Sequence, residues 1–211
     1  MKPKAPSAFA RILTACLLLT SAQAADLVGR PLEASPELWY VSVHGDGSGL
    51  LKKPEVVGDP ADKAEKAEAD SLSFQLSGDG AAGFWAGLNC VFPNAESVTV
   101  SEIESVSFSY KLQAAEMTPA DGSFSDKINV WFLLANPGDS TTASLIHQFY
   151  AEADGEWHQV TFDTSQMTSD DPKRTETLTT FRAVGFMLMM QQFSQMDLTF
   201  KVSDVRLVPK S

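Results

Sequence analysis

From residue 38 onward, apolar residues arrive in short runs, and turn residues divide the runs. Many of the runs alternate strictly between apolar and polar, the period of a strand with one buried face. Nine segments fit: residues 38–43, 71–77, 84–92, 106–112, 128–135, 144–152, 157–163, 182–190 and 198–208. Between them fall Gly45-Asp46-Gly47, Gly78-Asp79-Gly80, Asp121-Gly122, Asn136-Pro137-Gly138-Asp139 and Asp154-Gly155. These residues tolerate positive φ or preset a turn. Short strands at such spacing predict an all-β fold, two antiparallel sheets packed as a sandwich.

The segment 106–112 alternates most cleanly. Val106, Phe108, Tyr110 and Leu112 point one way, and Ser107, Ser109 and Lys111 the other. In segment 128–135, Ile128, Val130, Phe132 and Leu134 make one apolar face, while Asn129, Trp131 and Leu133 make a second that is not simply polar. The run Val184-Gly185-Phe186-Met187-Leu188-Met189-Met190 is apolar on both faces, as a central strand covered on each side would be. Residues 59–69 break the pattern. They join an N-cap aspartate and a proline to good helix formers without a large apolar residue, which predicts a short solvated helix or a polar connector.

The first 24 residues carry a different signal. Lys2, Lys4 and Arg11 precede a short apolar run, and Ala22-Gln23-Ala24 forms an A-x-A site ahead of Ala25. This is the layout of a secretory signal peptide, and the run is shorter than the ~20 residues a membrane span needs. A rival reading makes Leu13-Thr14-Ala15-Cys16 a lipoprotein box with Cys16 as its anchor. Leu17, Leu18 and Leu19 follow that cysteine, whereas a lipobox should close the apolar run, so cleavage before Ala25 is expected. The expected protein is a single domain over residues 25–211, secreted or periplasmic, with no membrane span.

Composition is ordinary for a globular chain: 211 residues, 44% hydrophobic and 20% charged. The formal net charge of −11 argues against a nucleic-acid partner, since no basic stretch is ready to neutralise phosphates. Cleavage removes three cations and no anion, which leaves the remainder more acidic still. It also leaves Cys90 without a second cysteine, so stability must come from the core rather than from a disulfide. Cys90 sits in a strand-like run with no histidine nearby, which suits a buried inert thiol.

The C-terminal half carries looser motifs. Gly155-Glu156-Trp157-His158-Gln159-Val160-Thr161-Phe162-Asp163 resembles the G-x-W-x-x-V-x-F/I strand of jelly-roll carbohydrate-binding modules. Phe200-Lys201-Val202-Ser203-Asp204-Val205-Arg206-Leu207-Val208 resembles their closing strand, and Ala183-Val184-Gly185-Phe186 the start of the strand before it. Phe84-Trp85-Ala86-Gly87-Leu88 is similar to a segment of the galactose-binding-like domains related to the complex I intermediate-associated proteins. The closing strand often reads Asp-Asp in these families, where this chain has Ser203-Asp204. The resemblance implies a jelly-roll sandwich that holds a polysaccharide or oligosaccharide in a concavity or at edge loops. It also implies a calcium ion that pins the N-terminal segment to the last strand, for which Asp204 is the candidate ligand.

Sugar binding needs flat apolar surface for C–H faces and hydrogen-bonding groups for hydroxyls. If Ile128, Val130, Phe132 and Leu134 face the core, Asn129 and Trp131 face away from it, joined by Gln148 and Tyr150 from the next strand. Trp85 and Asn89 emerge on that side too, as do Met187, Met189 and Gln191. The opposite assignment, with Trp85 and Trp131 in the core, needs only a one-residue bulge. Met187, Met189, Met190 and Met196 suit either flexible core filling or an adaptable surface, and core filling is favoured.

The histidines, His44, His147 and His158, form no H-x-E-x-H or similar spacing, so a zinc site is not expected. Ile146-His147-Gln148 resembles a strand of jelly-roll alginate lyases, but their arginine-rich and tyrosine-rich strands are missing. A small polysaccharide-cleaving enzyme is therefore the second reading. A protein-contact or adhesion domain beside an enzyme or envelope partner is the third.

Overall fold

The computed structural model describes residues 27–35, 38–44, 57–59, 70–78, 85–119, 126–139, 141–174, 176–190 and 193–211. The expected signal peptide, the segment 60–69 and Gln191 lie outside the described residues; Asp59, expected as a helix cap, ends a strand instead.

In chain order the strands are β1 (Trp39–His44), β2 (Val57–Asp59), β3 (Ser71–Gly78), β4 (Trp85–Val91), β5 (Val98–Thr99), β6 (Ile103–Pro119), β7 (Lys127–Ala135), β8 (Leu145–Glu152), β9 (Asp154–Asp163), β10 (Thr168–Ser169), β11 (Thr180–Phe181), β12 (Ala183–Met189) and β13 (Phe193–Pro209). Three short 3-10 turns are the only helical elements among the described residues. A six-stranded sheet runs β1-β4-β12-β7-β8-β10, and a five-stranded sheet runs β2-β3-β13-β6-β9. The short pair β11-β5 forms a third. Every strand pair within these sheets is antiparallel. The fold is an all-β jelly-roll sandwich.

Alternation explains how the two sheets close on each other. Across the inner side of the six-stranded sheet, Val41, Leu88, Phe186, Phe132 and His147 stand in one row. From the five-stranded sheet, Leu72, Val202 and Tyr110 form an inner row, and Phe74, Phe200 and Leu112 the next. Phe74, Phe108, Phe132, Phe186 and Phe200 are fully buried where the sheets meet. Burying such a side chain stabilises by ~1.5–3 kcal/mol, so this aromatic layer is the main cohesive element. Cys90 is buried on the same inner side, and burial pushes its thiol up to about 12, which keeps it protonated and inert.

The N-terminal segment is tied to the last strand through the main chain. Gly29 N–H donates to Leu207 O at 2.8 Å, and Leu32 N–H to Val205 O at 2.8 Å. Beside it, β13 shifts register against β6 between Ser203 and Arg206, and Asp204 takes a φ of 55° at this bulge. Asp204 Oδ1 accepts from Arg206 Nε at 3.0 Å and pairs with Nη2 at 2.9 Å. The expected calcium ligand is thus engaged by a guanidinium, and among the described residues it belongs to no group of three candidate ligand side chains.

Candidate functional site

The outer side of the six-stranded sheet gathers six of the seven expected ligand-binding residues. Its first row is Tyr40, Asn89, Gly185, Leu133 and Ile146. Its second is Ser42, Gly87, Met187, Trp131 and Gln148. The third pairs Trp85 with Met189 on one flank and Asn129 with Tyr150 on the other. With strands ~4.8 Å apart, five strands give a row ~19 Å long, room for several linked pyranose rings.

The registers of β7 with β8 and β12 run without a bulge. Parity is therefore preserved: Ile128, Val130, Phe132 and Leu134 are fully buried, whereas Asn129 and Trp131 are partly exposed on the other side. The reversed assignment does not hold. Trp85 and Asn89 are likewise partly exposed, and Gln148 is exposed. The methionines divide: Met190 and Met196 are core, while Met187 and Met189 stand half-buried on the outer face, against the expectation of core filling for all four.

Two glycines lower the middle of this surface. A Cβ on Gly185 would lie 2.6 Å from Asn89 Oδ1 and 3.2 Å from Leu133 Cδ1. One on Gly87 would lie 3.0 Å from Asn89 Nδ2 and 3.3 Å from the Trp85 ring. The Asn89 amide thus lies across the missing side chains, and its Nδ2 donates to Ser42 Oγ at 3.0 Å. The result is a shallow floor of amide and indole rather than a ridge of aliphatic side chains.

Tyr40 and Tyr150 are the exposed large hydrophobic residues among those described, at 45% and 61%. Both stand on this face, on β1 and β8, at opposite sides of the floor. Tyr40 was missed in the sequence, although alternation behind Trp39 could have found it: Trp39 is buried, so its neighbour must point outward. The side chains of the three rows carry no formal charge. A Lys127–Glu152 ion pair of 2.7 Å bounds one end. Trp131 Nε1 and Asn129 Oδ1 are buried and have no hydrogen-bonding partner among the described residues. Such groups cost ~1–3 kcal/mol each until a partner satisfies them.

His147 does not join Gln148 and Tyr150, because it points to the other side of β8. Its ring stacks on Phe162 with centroids 3.9 Å apart and planes 10° from parallel. Burial holds its pKa below the ordinary imidazole value. The unfolded chain then takes up the proton first as pH falls, so this contribution to stability is full above about 6.5 and shrinks below it. The melting temperature should fall between pH 7 and pH 5, and His147→Gln should flatten that fall. An identical slope in the variant would refute the assignment.

A second cluster went unread in the sequence: Glu152, Asp154 and His158 meet where β8 passes into β9. His158 Nε2 lies 3.0 Å from both oxygens of Asp154, which holds that carboxyl below its usual range.

No protein-family model matches the chain, and no curated relative matches it in sequence. Solved structures do. The family 11 carbohydrate-binding module of a cellulosomal cellulase from Clostridium thermocellum aligns over 87% of this chain and 96% of its own, at 13% identity and a TM-score of 0.52. The family 11 module from Clostridium thermocellum in complex with a β-1,3-1,4-mixed-linked tetrasaccharide aligns over 85% and 95%, at 11% identity and 0.51. At these identities the likeness is one of fold: the chain is built on the same jelly-roll sandwich as carbohydrate-binding modules, over most of its length.

Proposed function

We propose that this protein is a secreted or periplasmic, non-catalytic domain that binds a neutral glycan on the outer face of its six-stranded sheet. The observation that carries the reading is the composition of that face. Tryptophan and tyrosine offer flat apolar surface, asparagine and glutamine offer donors and acceptors, and formal charge is absent from the three rows. Stacking on sugar C–H faces and pairing with hydroxyls needs this combination. An acidic polysaccharide fits poorly, because the chain is itself strongly anionic and would repel it. Since the Clostridium thermocellum module is in complex with a β-1,3-1,4-mixed-linked tetrasaccharide, a mixed-linked β-glucan is the first polymer to try. Holding such a polymer would bring a partner enzyme or envelope protein to it.

A protein-contact role would have been favoured by a fully exposed methionine patch, and Met187 and Met189 are instead half-buried. Affinity electrophoresis in gels containing mixed-linked β-glucan, xylan or alginate tests the proposal. Retardation by a neutral polymer and none by alginate is expected, and Tyr150→Ala should reduce it with stability changed by no more than ~0.5 kcal/mol, since the ring is mostly in water. No retardation by any neutral polymer would remove the proposal.

A further inference from the structure

The passage from β8 to β9 is where the chain leaves one sheet and enters the other, with Ala153 alone between the strands. Ala153 N–H donates to Asp126 O at 2.7 Å, which fixes the corner. So short a crossing forces the side chains on either side of it together. Tyr110 supports them from below. Its hydroxyl accepts the Glu152 N–H at 3.2 Å, and its ring stacks on His158 with centroids 5.1 Å apart. The imidazole is thereby oriented with Nε2 toward the Asp154 carboxylate. One ligand atom each from Glu152, Asp154 and His158 lies within 4.8 Å of the others.

We propose that Glu152, Asp154 and His158 form a site for a divalent transition metal of the zinc type. Ligand chemistry sets the class. Calcium and magnesium take oxygen ligands, whereas an imidazole nitrogen with two carboxylates suits zinc and its neighbours. Zinc bonds these donors at ~2.0–2.2 Å, so small rotations of exposed side chains bring all three into range. Three protein ligands leave a position for water. The Lys127 ammonium already sits 2.7 Å from Glu152 on a flexible, half-exposed stem, and a divalent ion would displace it. The ion would then clamp the two sheets at their corner, at the end of the strand that carries Tyr150 but independently of any glycan.

Calorimetry with zinc chloride near pH 7, with calcium chloride as control, tests this on the full chain. One equivalent of zinc should bind, raise the melting temperature, and bind about tenfold more weakly or worse in His158→Ala. Lys127→Ala should bind zinc more tightly, because a competing cation is gone. Asp154→Asn, nearly isosteric, guards against a folding defect in the histidine variant and should also weaken binding. Zinc-dependent shifts of the His158 side-chain nitrogens, read by NMR, report the site without any variant. Unchanged zinc affinity in both ligand variants, or calcium binding as tightly as zinc, would overturn the proposal.

Discussion

Phe186→Ala should cost about 3–5 kcal/mol of folding stability, a large share of the ~5–15 kcal/mol that holds a domain of this size together. The residue lies on β12, between β4 and β7 in the six-stranded sheet, and is fully buried. Its ring meets Phe108 edge-on at 4.9 Å and Phe132 at 5.3 Å, with Phe200 at 6.0 Å and Trp39 at 6.4 Å. Phe108 and Phe200 belong to the opposite sheet, so this one side chain bridges the sandwich. Neighbours held in two hydrogen-bonded sheets cannot collapse into the space it leaves, which puts the cost near the upper part of the range for large-to-small changes. Urea denaturation should show a lower midpoint at an unchanged slope. A loss below ~1 kcal/mol would contradict the packing of the two sheets through this ring.

The contrast between Phe186 and its neighbour Met187 shows what alternation could and could not reveal. Each of the nine segments read from the sequence coincides with a strand, because a period of two with one buried face, or a short apolar run between turn residues, leaves a clear pattern. The strands β2, β5, β10 and β11, two or three residues each, are too short to carry one. β6 and β13 run to 17 residues each, well past the segments 106–112 and 198–208. Beyond Leu112, Gln113-Ala114-Ala115-Glu116 has no apolar alternation; it is held as a strand by pairing with β13 across register shifts. Asp154-Gly155 reads as a turn, yet it opens β9, where the positive φ of Gly155 sits beside a shift in pairing with β6.

The face of each strand was harder to read than its existence. Sequence parity decides which residues share a side, but a single bulge reverses it. β7 and β12 carry none against their neighbours, so the grouping of Trp85, Asn89, Asn129, Trp131, Gln148 and Tyr150 holds as a spatial set. The cluster at Glu152, Asp154 and His158 was illegible for a different reason. Asp154 and His158 stand an even four residues apart on β9, but Asp154-Gly155 reads as a turn rather than as strand, and Glu152 reaches them only across the one-residue crossing between sheets.

Trp131→Ala should weaken binding of a neutral β-glucan about tenfold or more while costing only ~1–2 kcal/mol of stability. The residue occupies the middle of the second outer row, between Met187 and Gln148, where a chain laid across the strands must pass over it. Its indole is partly exposed and supplies apolar area for stacking. Partial exposure limits the folding cost, because much of the removed surface faces outward rather than the aromatic layer. The two quantities must be measured on the same variant, by calorimetric titration with glucan oligosaccharide and by urea denaturation. Phe186→Ala supplies the reverse pattern: a large loss of stability, with affinity retained in whatever fraction stays folded. If Trp131→Ala instead lost ~3–5 kcal/mol of stability, the indole would be a core residue. If it lost neither stability nor affinity, the glycan would have to lie elsewhere on the sandwich, and the outer face of the six-stranded sheet would cease to be the site.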